Sequence, residues 1–520
     1  MRLTFRNYIL PLVLASCVWT TACEAPLPPL SHSTKQYPLE AVNVIAAAYG
    51  GITEKYVEPV NIERIALEGI KGLTVLDPAL LSLKDGKLVR LKFSGNEIAV
   101  LPYPRSATAF SWARFTVDLV NTARIHSRKI QNANLEKIFE AIFDSALSEL
   151  DSFSRYAGAN EARRNRARRD GFGGIGIRFS IKSGKVIIAS IIPGTPAATS
   201  RLKTGDQITH INTKLVGKKS TDLLSQLRGL IGSKITLTIF RPREKRSFDE
   251  TLLRAHIVPP SVTEKLEDKI LYLRISNFNQ GTVNAVRKQI EAGKKKSTGS
   301  LRGIIIDLRG NRGGLLKQSI KLADLFLTRG QILTTRGRHP DSLHQYVAGG
   351  RDLANGAPVV VIIDGKSASA SEIVAAALQD HKRAVIIGTS SFGKGSVQTV
   401  IRLPNEGEIT LTWSRFITPS GYTLHGLGVR PTICTIEINS DFIAIIEQVL
   451  NEYIETRNTL TSPHTETIQQ SNLRKALHKI CPSRQRKARS DIRIAKHLIQ
   501  NEALFQRAIN LSESISAAGN

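Results

Sequence analysis

Asp364-Gly365-Lys366-Ser367-Ala368-Ser369-Ala370-Ser371-Glu372 is the stretch whose reading decides the rest of the chain. It follows Val359–Ile363, five apolar residues that read as a buried strand, and precedes Ile373–Leu378, which reads as a helix. Three serines separated by alanines therefore stand where a strand turns into a helix. A helix N-terminus carries unpaired backbone N–H groups and the positive end of the helix dipole. A serine placed there can attack a carbonyl, and neighbouring N–H groups can hold the oxyanion that forms. The plainer alternative is a Ser-rich N-cap, with Ser371 and Glu372 serving only the helix.

Downstream, Val385–Ile387 leads into Gly388-Thr-Ser-Ser-Phe-Gly-Lys-Gly-Ser396 and then Val397 and Gln398. Lys394 lies between two glycines, so its backbone can approach another segment closely. A lysine activates a serine only when neutral; lowering its pKa from about 10.4 toward neutrality takes roughly 4 kcal/mol of desolvation. Gln398 is placed to hold the amine by a side-chain hydrogen bond. Two other patterns overlap this segment. Gly388 to Lys394 nearly spells a phosphate-binding loop, but Gly395 stands where a magnesium-binding hydroxyl belongs. Ser391-Phe-Gly-Lys394 matches S-x-x-K, which needs both residues on one helix, where Gly393 is unfavourable.

Together, Ser-Ala-Ser-Ala-Ser-Glu-Ile-Val and Phe-Gly-Lys-Gly-Ser-Val-Gln resemble the carboxy-terminal processing proteases, the tail-specific Ser/Lys peptidases of family S41. The resemblance runs from about Ala41 to Thr435. It implies that Ser369 is the nucleophile, Lys394 its general base and Gln398 the residue that orients Lys394. Arg309-Gly-Asn-Arg-Gly-Gly314 corresponds to the family's R-x-N-x-G-G. It implies an oxyanion hole made of the Ala370 N–H and that of Gly313 or Gly314, with the choice open. Asp307 and Arg309 read as structural. Asp380 and His381 invite a Ser/His/Asp triad, a reading that ranks well below the dyad. No metal or cofactor is implied. The expected activity is a serine endopeptidase cutting proteins near their C-termini; the rival is a catalytically silent PDZ scaffold that only holds C-terminal peptides.

Residues 171–258 resemble a PDZ domain, with Gly173, Gly174, Ile175 and Gly176 in place of its carboxylate-binding loop. Successive N–H groups in such a loop can cradle a chain-terminal carboxylate while the peptide adds as a strand. Residues 39–165 read as a mostly helical N-terminal domain, with a hairpin near Leu88–Leu101 and helices over Phe110–Ile125 and Leu135–Leu150. The basic run Arg163–Arg169 reads as a solvated linker or helix face, or an anionic-lipid contact. The catalytic core is expected over 259–440. A helical, basic extension over 441–520, with candidate helices Asp441–Tyr453 and Ser490–Leu511, receives no function. The whole is a multidomain α/β chain whose Ser/Lys protease core is of the ClpP/crotonase-like kind.

The chain has 520 residues, enough for roughly three or four domains. Its hydrophobic content of 41% supports real cores, and its net charge of +28 points to an anionic surface such as membrane lipid, or an acidic substrate. No zinc spacing or helix-turn-helix pattern supports nucleic acid. Residues 1–23 read as an export signal: Arg2 and Arg6 precede an apolar run from Tyr8 to Val18, too short to span a membrane. Leu14-Ala-Ser-Cys17 resembles a lipobox, which makes Cys17 a lipidation candidate, with Cys23 a weaker one; plain cleavage is the alternative. Residues 24–38, with Ala25-Pro-Leu-Pro-Pro29, read as a linker. The expected location is the periplasm or the extracytoplasmic face of a membrane. Cys434 and Cys481 can pair in an oxidising compartment, closing a loop worth about 4 kcal/mol in a chain-entropy account, or remain as thiols. Substrate identity, oligomeric state and any adaptor stay open.

Overall fold

The computed structural model describes residues 39–217, 220–421, 423–436, 479–485 and 489–511. The signal, Cys17, the linker and the expected helix Asp441–Tyr453 lie outside the described residues.

Val359–Ile363 is central to a six-stranded sheet ordered Val262–Glu267, Ile270–Ile275, Gly303–Asp307, Val359–Ile363, Val385–Gly388 and Ile433–Cys434. The first pair is antiparallel and the remaining pairs are parallel. Continuous runs such as Ile304-Ile-Ile306 and Val359–Ile363 leave no polar face, so both sides must be covered. Alternation sends Ile304, Ile306, Val359, Val361 and Ile363 to one side, where they pack with Val286, Ile290, Leu322 and Ile373. These come from helices Thr282–Lys296, Leu316–Asp324 and Ala370–Asp380. Ile305, Val360, Ile362, Val385 and Ile387 face the other way and pack with Ile494, Leu498, Ile499 and Phe505.

That second layer is made by the C-terminal extension. The sequence led us to expect one helix over Ser490–Leu511; the structure has two, Ser490–Gln500 and Glu502–Asn510. Asn501 divides them, its side chain accepting the Leu504 N–H at 3.1 Å as an N-cap. The helices approach closely enough that a Cβ on Gly303 would lie 2.4 Å from Ile499 Cγ2. A buried charge network ties them down. Arg309 donates to both oxygens of Asp307, at 3.0 and 2.6 Å, and to Asp491 at 2.8 Å. The Tyr272 hydroxyl donates to Asp307 at 2.7 Å and the Thr435 hydroxyl to Asp491 at 2.8 Å. Burial opposes charge on Asp307, but the hydrogen bonds and charge of Arg309 outweigh it and hold that carboxyl below its ordinary pKa. The structural reading of Asp307 and Arg309 matches this geometry.

A second sheet, ordered His344–Val347, Gln331–Arg336, Glu408–Ile417 and Ser396–Arg402, also pairs Glu408–Ile417 with Arg155–Ala157. Its Leu403, Ile409 and Leu411 join the core of the N-terminal helices Leu39–Lys55, Ile62–Lys71, Ala109–His126 and Leu135–Ser148. The expected hairpin is there as Leu88–Phe93 and Asn96–Pro102, extended by a third strand, Leu80–Asp85. The basic run lies in a helix, Ala159–Arg169. The PDZ sheet is ordered Arg246–Leu253, Lys234–Arg241, Gln207–Ile211, Lys185–Ile191 and Ile177–Lys182, with helix Ser220–Leu227 beside it. Cys434 and Cys481 are joined in a disulfide, Cα to Cα 5.9 Å.

Replacing Asp491 by alanine should strip one partner from the buried Arg309 and loosen the C-terminal layer. A loss of about 3 kcal/mol or more is expected in urea unfolding; an unchanged midpoint would show that the network does not hold the extension.

Candidate active site

Val359–Ile363 ends at Asp364, and the chain turns through Ser369 into helix Ala370–Asp380. Ser369 has φ 55° and ψ −111°, a conformation that costs a non-glycine residue on the order of 1–3 kcal/mol. Its two neighbouring serines are fully buried and engaged. The Ser367 hydroxyl donates to Leu308 O at 2.9 Å and that of Ser371 to Asn311 O at 2.9 Å. Ser369 is half-buried and lines a cavity of about 860 Å3 that Lys394, Gln398, Ala370, Gly313 and Gly314 also line. The structure thus brings every sequence-derived residue of the dyad and oxyanion hole to one space.

Lys394 lies mostly buried with Nζ 4.8 Å from the Phe153 ring centroid. Burial, assisted by the Arg155 cation, brings its amine down to about 8, against the opposing carboxylates of Asp151 and Glu372. A base with that value is neutral in roughly one molecule in ten at pH 7. Gln398 Nε2 donates to Ser396 Oγ at 2.9 Å and Thr412 Oγ1 at 3.4 Å. The expected hydrogen bond between Gln398 and Lys394 is not made among the described residues.

The two candidate glycines differ. The Gly313 N–H donates to Asn311 Oδ1 at 2.9 Å, whereas those of Gly314 and Ala370 make no hydrogen bond among the described residues. Gly313 has φ 98°, and a Cβ there would lie 3.0 Å from both Ala370 N and Ser369 Cβ. A side chain at Gly313 would crowd the space beside the serine.

Sequence reasoning treated Glu372 as a helix residue; the structure makes it the link between the two catalytic segments. It is fully buried and accepts the N–H groups of Ser369 at 2.6 Å, Gly393 at 2.6 Å and Lys394 at 2.9 Å, and the Ser391 hydroxyl at 2.5 Å. Burial pushes its pKa up, and these donors pull against that. The signal was present: Glu372 is a charge in the first turn of a helix whose next six residues are apolar. The same bonds dispose of both overlapping patterns. The loop N–H groups that would cradle a phosphate are occupied by the protein's own carboxylate. Ser391 is buried between Glu372 and the Val429 N–H, which it accepts at 2.6 Å. Asp380 and His381 stand at the opposite end of the helix from Ser369. The His381 ring bonds Gln331 O at 2.7 Å and Asp380 accepts the Ser420 N–H at 3.0 Å; no triad forms.

A short strap, Cys481 to Arg484, backs both segments. Arg484 O accepts the Gly365 N–H at 2.9 Å and the Thr389 hydroxyl at 2.8 Å, and Cys481 O accepts the Ser390 hydroxyl at 2.6 Å. In the PDZ loop, the carbonyls of Gly173, Ile175 and Gly176 accept the N–H groups of Gly229, Ala197 and Ile192. Gly174 lies in a short strand paired with Ala255–Ile257. The N–H groups of Ile175 and Gly176 make no hydrogen bond among the described residues.

Comparison with known proteins places this geometry. Residues 269–435 match the model of peptidase family S41, and residues 173–252 that of a PDZ domain. Over 313 residues, 60% of this chain and 72% of the relative, the sequence is 39% identical to a carboxy-terminal-processing protease of Bartonella bacilliformis. It is 32% identical over 341 residues to the carboxy-terminal processing protease CtpB of Bacillus subtilis, covering 64% of this chain and 70% of that one. A solved photosystem II D1 C-terminal processing protease aligns over 80% of this chain and 97% of its own, at 20% identity and a TM-score of 0.38. The chain is thus a PDZ-containing serine-type endopeptidase of the S41 class. Within that class it belongs to the carboxy-terminal processing proteases. The scaffold alternative gives way to an enzyme.

Glu372→Ala would leave four donors, two of them fully buried, without their acceptor. The bonds lost at the Ser369 turn and the Lys394 loop should lower stability by about 3 kcal/mol or more and remove activity. Urea unfolding and peptide hydrolysis measured together check this; wild-type behaviour in both would deny Glu372 its linking position.

Proposed function

We propose that Ser369 Oγ attacks the scissile carbonyl while Lys394 Nζ takes its proton. The Ala370 and Gly314 N–H groups then hold the oxyanion, with Gly313 keeping the space beside it open. Lys394 returns the proton to the leaving amine, and water hydrolyses the acyl-enzyme at Ser369 with Lys394 again as base. Gln398 lines the same cavity and would position Lys394 as the substrate enters. The observation that carries this reading is a strained, cavity-facing serine sharing its space with a desolvated lysine. Ser369→Ala and Lys394→Ala should abolish cleavage, and Lys394→Arg should too, because guanidinium does not give up its proton. With the lysine amine at about 8, kcat/KM should rise with pH through that value and level above it. A flat profile from pH 6 to 9, or an active Lys394→Arg enzyme, would remove Lys394 as the base.

The substrate side rests on the PDZ domain. We propose that protein substrates enter by their C-terminal tails, the terminal carboxylate taking the free N–H groups of Ile175 and Gly176 in the Gly173–Gly176 loop. A charge-assisted bond contributes roughly 1.5–3 kcal/mol, so a C-terminal amide should bind about 10- to 150-fold more weakly than the acid. Direct titration of acid and amide forms of one peptide against the full chain tests this; equal affinity would leave the loop without that role. A Gly176→Val change should act like the amide, since a Cβ there would fall 2.1 Å from Thr195 Oγ1.

The location we propose is extracytoplasmic, with residues 1–23 as the export signal and Cys17 as a lipid attachment point. The Cys434–Cys481 disulfide supports an oxidising compartment. No helix among the described residues is long and apolar enough to cross a membrane.

A further inference from the structure

The basic helix Ala159–Arg169 runs along the catalytic cavity and brings charge to it. Basic side chains on the cavity wall are Arg155, Arg168, Arg169, Arg312, Lys317 and Lys394; the acidic ones are Asp341 and Glu408. Of the two, Glu408 is taken up by the fold, and Asp341 is one exposed carboxylate against four exposed cations. Glu408 is buried and already holds Arg166 at 2.8 Å and Arg169 at 3.6 Å. Asp341 lies beside His339 at 3.8 Å. Arg155, Arg168, Arg312 and Lys317 are exposed and make no ion pair among the described residues.

Their positions do not serve the fold. Lys317 stands in the first turn of helix Leu316–Asp324, where a cation opposes the helix dipole and an acidic residue would be favoured. Arg312 immediately precedes the Gly313-Gly314 pair. Arg155 lies on the strand that pairs with Thr410, and also depresses the Lys394 amine. Like charges converging on one cleft repel each other unless an anion joins them, and a cleft with low-dielectric walls concentrates their field.

We infer that the polypeptide segment occupying the catalytic cavity is acidic, and that Arg155, Arg168, Arg312 and Lys317 set this preference by pairing with substrate carboxylates near the scissile bond. This rests on the placement of catalysis at Ser369. It adds a second selection, by side-chain charge, to selection of the tail by the PDZ loop. Charge pairing of this kind acts on encounter and binding, so it moves KM more than kcat.

The test uses the full chain carrying Ser369→Ala and two fluorescent peptides that differ only in Glu against Gln on both sides of the cleavage position. Both end in amides, which removes the PDZ contribution. At roughly 50 mM salt the Glu peptide should bind about 10-fold more tightly, and the gap should close to about 2-fold near 0.5 M. In a chain with Arg155, Arg168, Arg312 and Lys317 all changed to Gln the preference should vanish. The pairs R155Q/R168Q and R312Q/K317Q should each reduce it partway, which guards against a folding defect in the quadruple variant. Equal binding of the two peptides, or no binding of either, overturns the inference. So does a Glu preference that survives the quadruple change, since it would then arise elsewhere on the basic surface. Peptide cleavage by the Ser369→Ala chain would instead overturn the catalytic placement and leave the charge preference to be judged by binding.

Discussion

One buried carboxylate holds the catalytic geometry together. Glu372 sits at the start of a helix packed on the central sheet, and its two oxygens are shared between the serine turn and the lysine loop. Neither segment would keep its shape alone. The turn places a non-glycine residue at positive φ, which persists only when its surroundings over-determine it. The loop turns through Gly393 at φ 91° and has few side chains of its own to pack. A carboxylate buried without an ion pair among the described residues is admissible because four donors converge on it, which compensates for lost water. Ser369 and Lys394 therefore stand in a relation set by backbone hydrogen bonds to a third residue, before any contact between their own side chains.

A second constraint comes from behind. The strap from Cys481 to Arg484 contacts residues just before Ser369 and just before Lys394, and the disulfide to Cys434 fixes it at the end of the edge strand. Further along the same extension, Asp491 joins the Arg309 network one residue before the glycine loop begins at Gly310. The C-terminal region thus supplies the second layer of the core sheet, a brace for the serine and lysine loops, and an anchor for the glycine loop. Treating it as an appendage to a finished catalytic domain misses that the sheet has a bare apolar face without it.

What was legible in the sequence was what local pattern determines. Val359–Ile363 reads as a buried strand because five consecutive residues have no polar side, and Ser369 and Lys394 stand out because two short motifs carry them. The difference between Gly313 and Gly314 was not legible: glycines show no side-chain preference, and it depends on Asn311 capturing the Gly313 N–H. Glu372 was passed over because its partners lie about 20 residues on, in a loop whose position is a tertiary fact. The extension was unreadable for a related reason. Ile494 and Leu498 look like any amphipathic stripe until Val360 and Ile387 are known to lack cover. Gln398 was legible as a neighbour of Lys394, but the hydroxyls of Ser396 and Thr412 that receive its amide nitrogen were not.

The site gathers features that each work against stability: a strained turn, an amine held partly out of water, a deeply buried carboxylate, and positive charge around the cavity that makes no ion pair among the described residues. They are related through one group. The Lys394 amine is brought down to about 8, and burial and the Arg155 cation both favour loss of its proton. Glu372 would work against it, since a carboxylate near an ammonium stabilises the charge. Its oxygens, however, are turned to backbone N–H groups and a hydroxyl, so its attraction for the amine is spread over dipoles that already satisfy it. The Arg155 side of the cavity then tips the balance toward the neutral base. The basic wall and the depressed lysine thus share one residue, Arg155, which lines the cavity and lowers the proton affinity of the Lys394 amine.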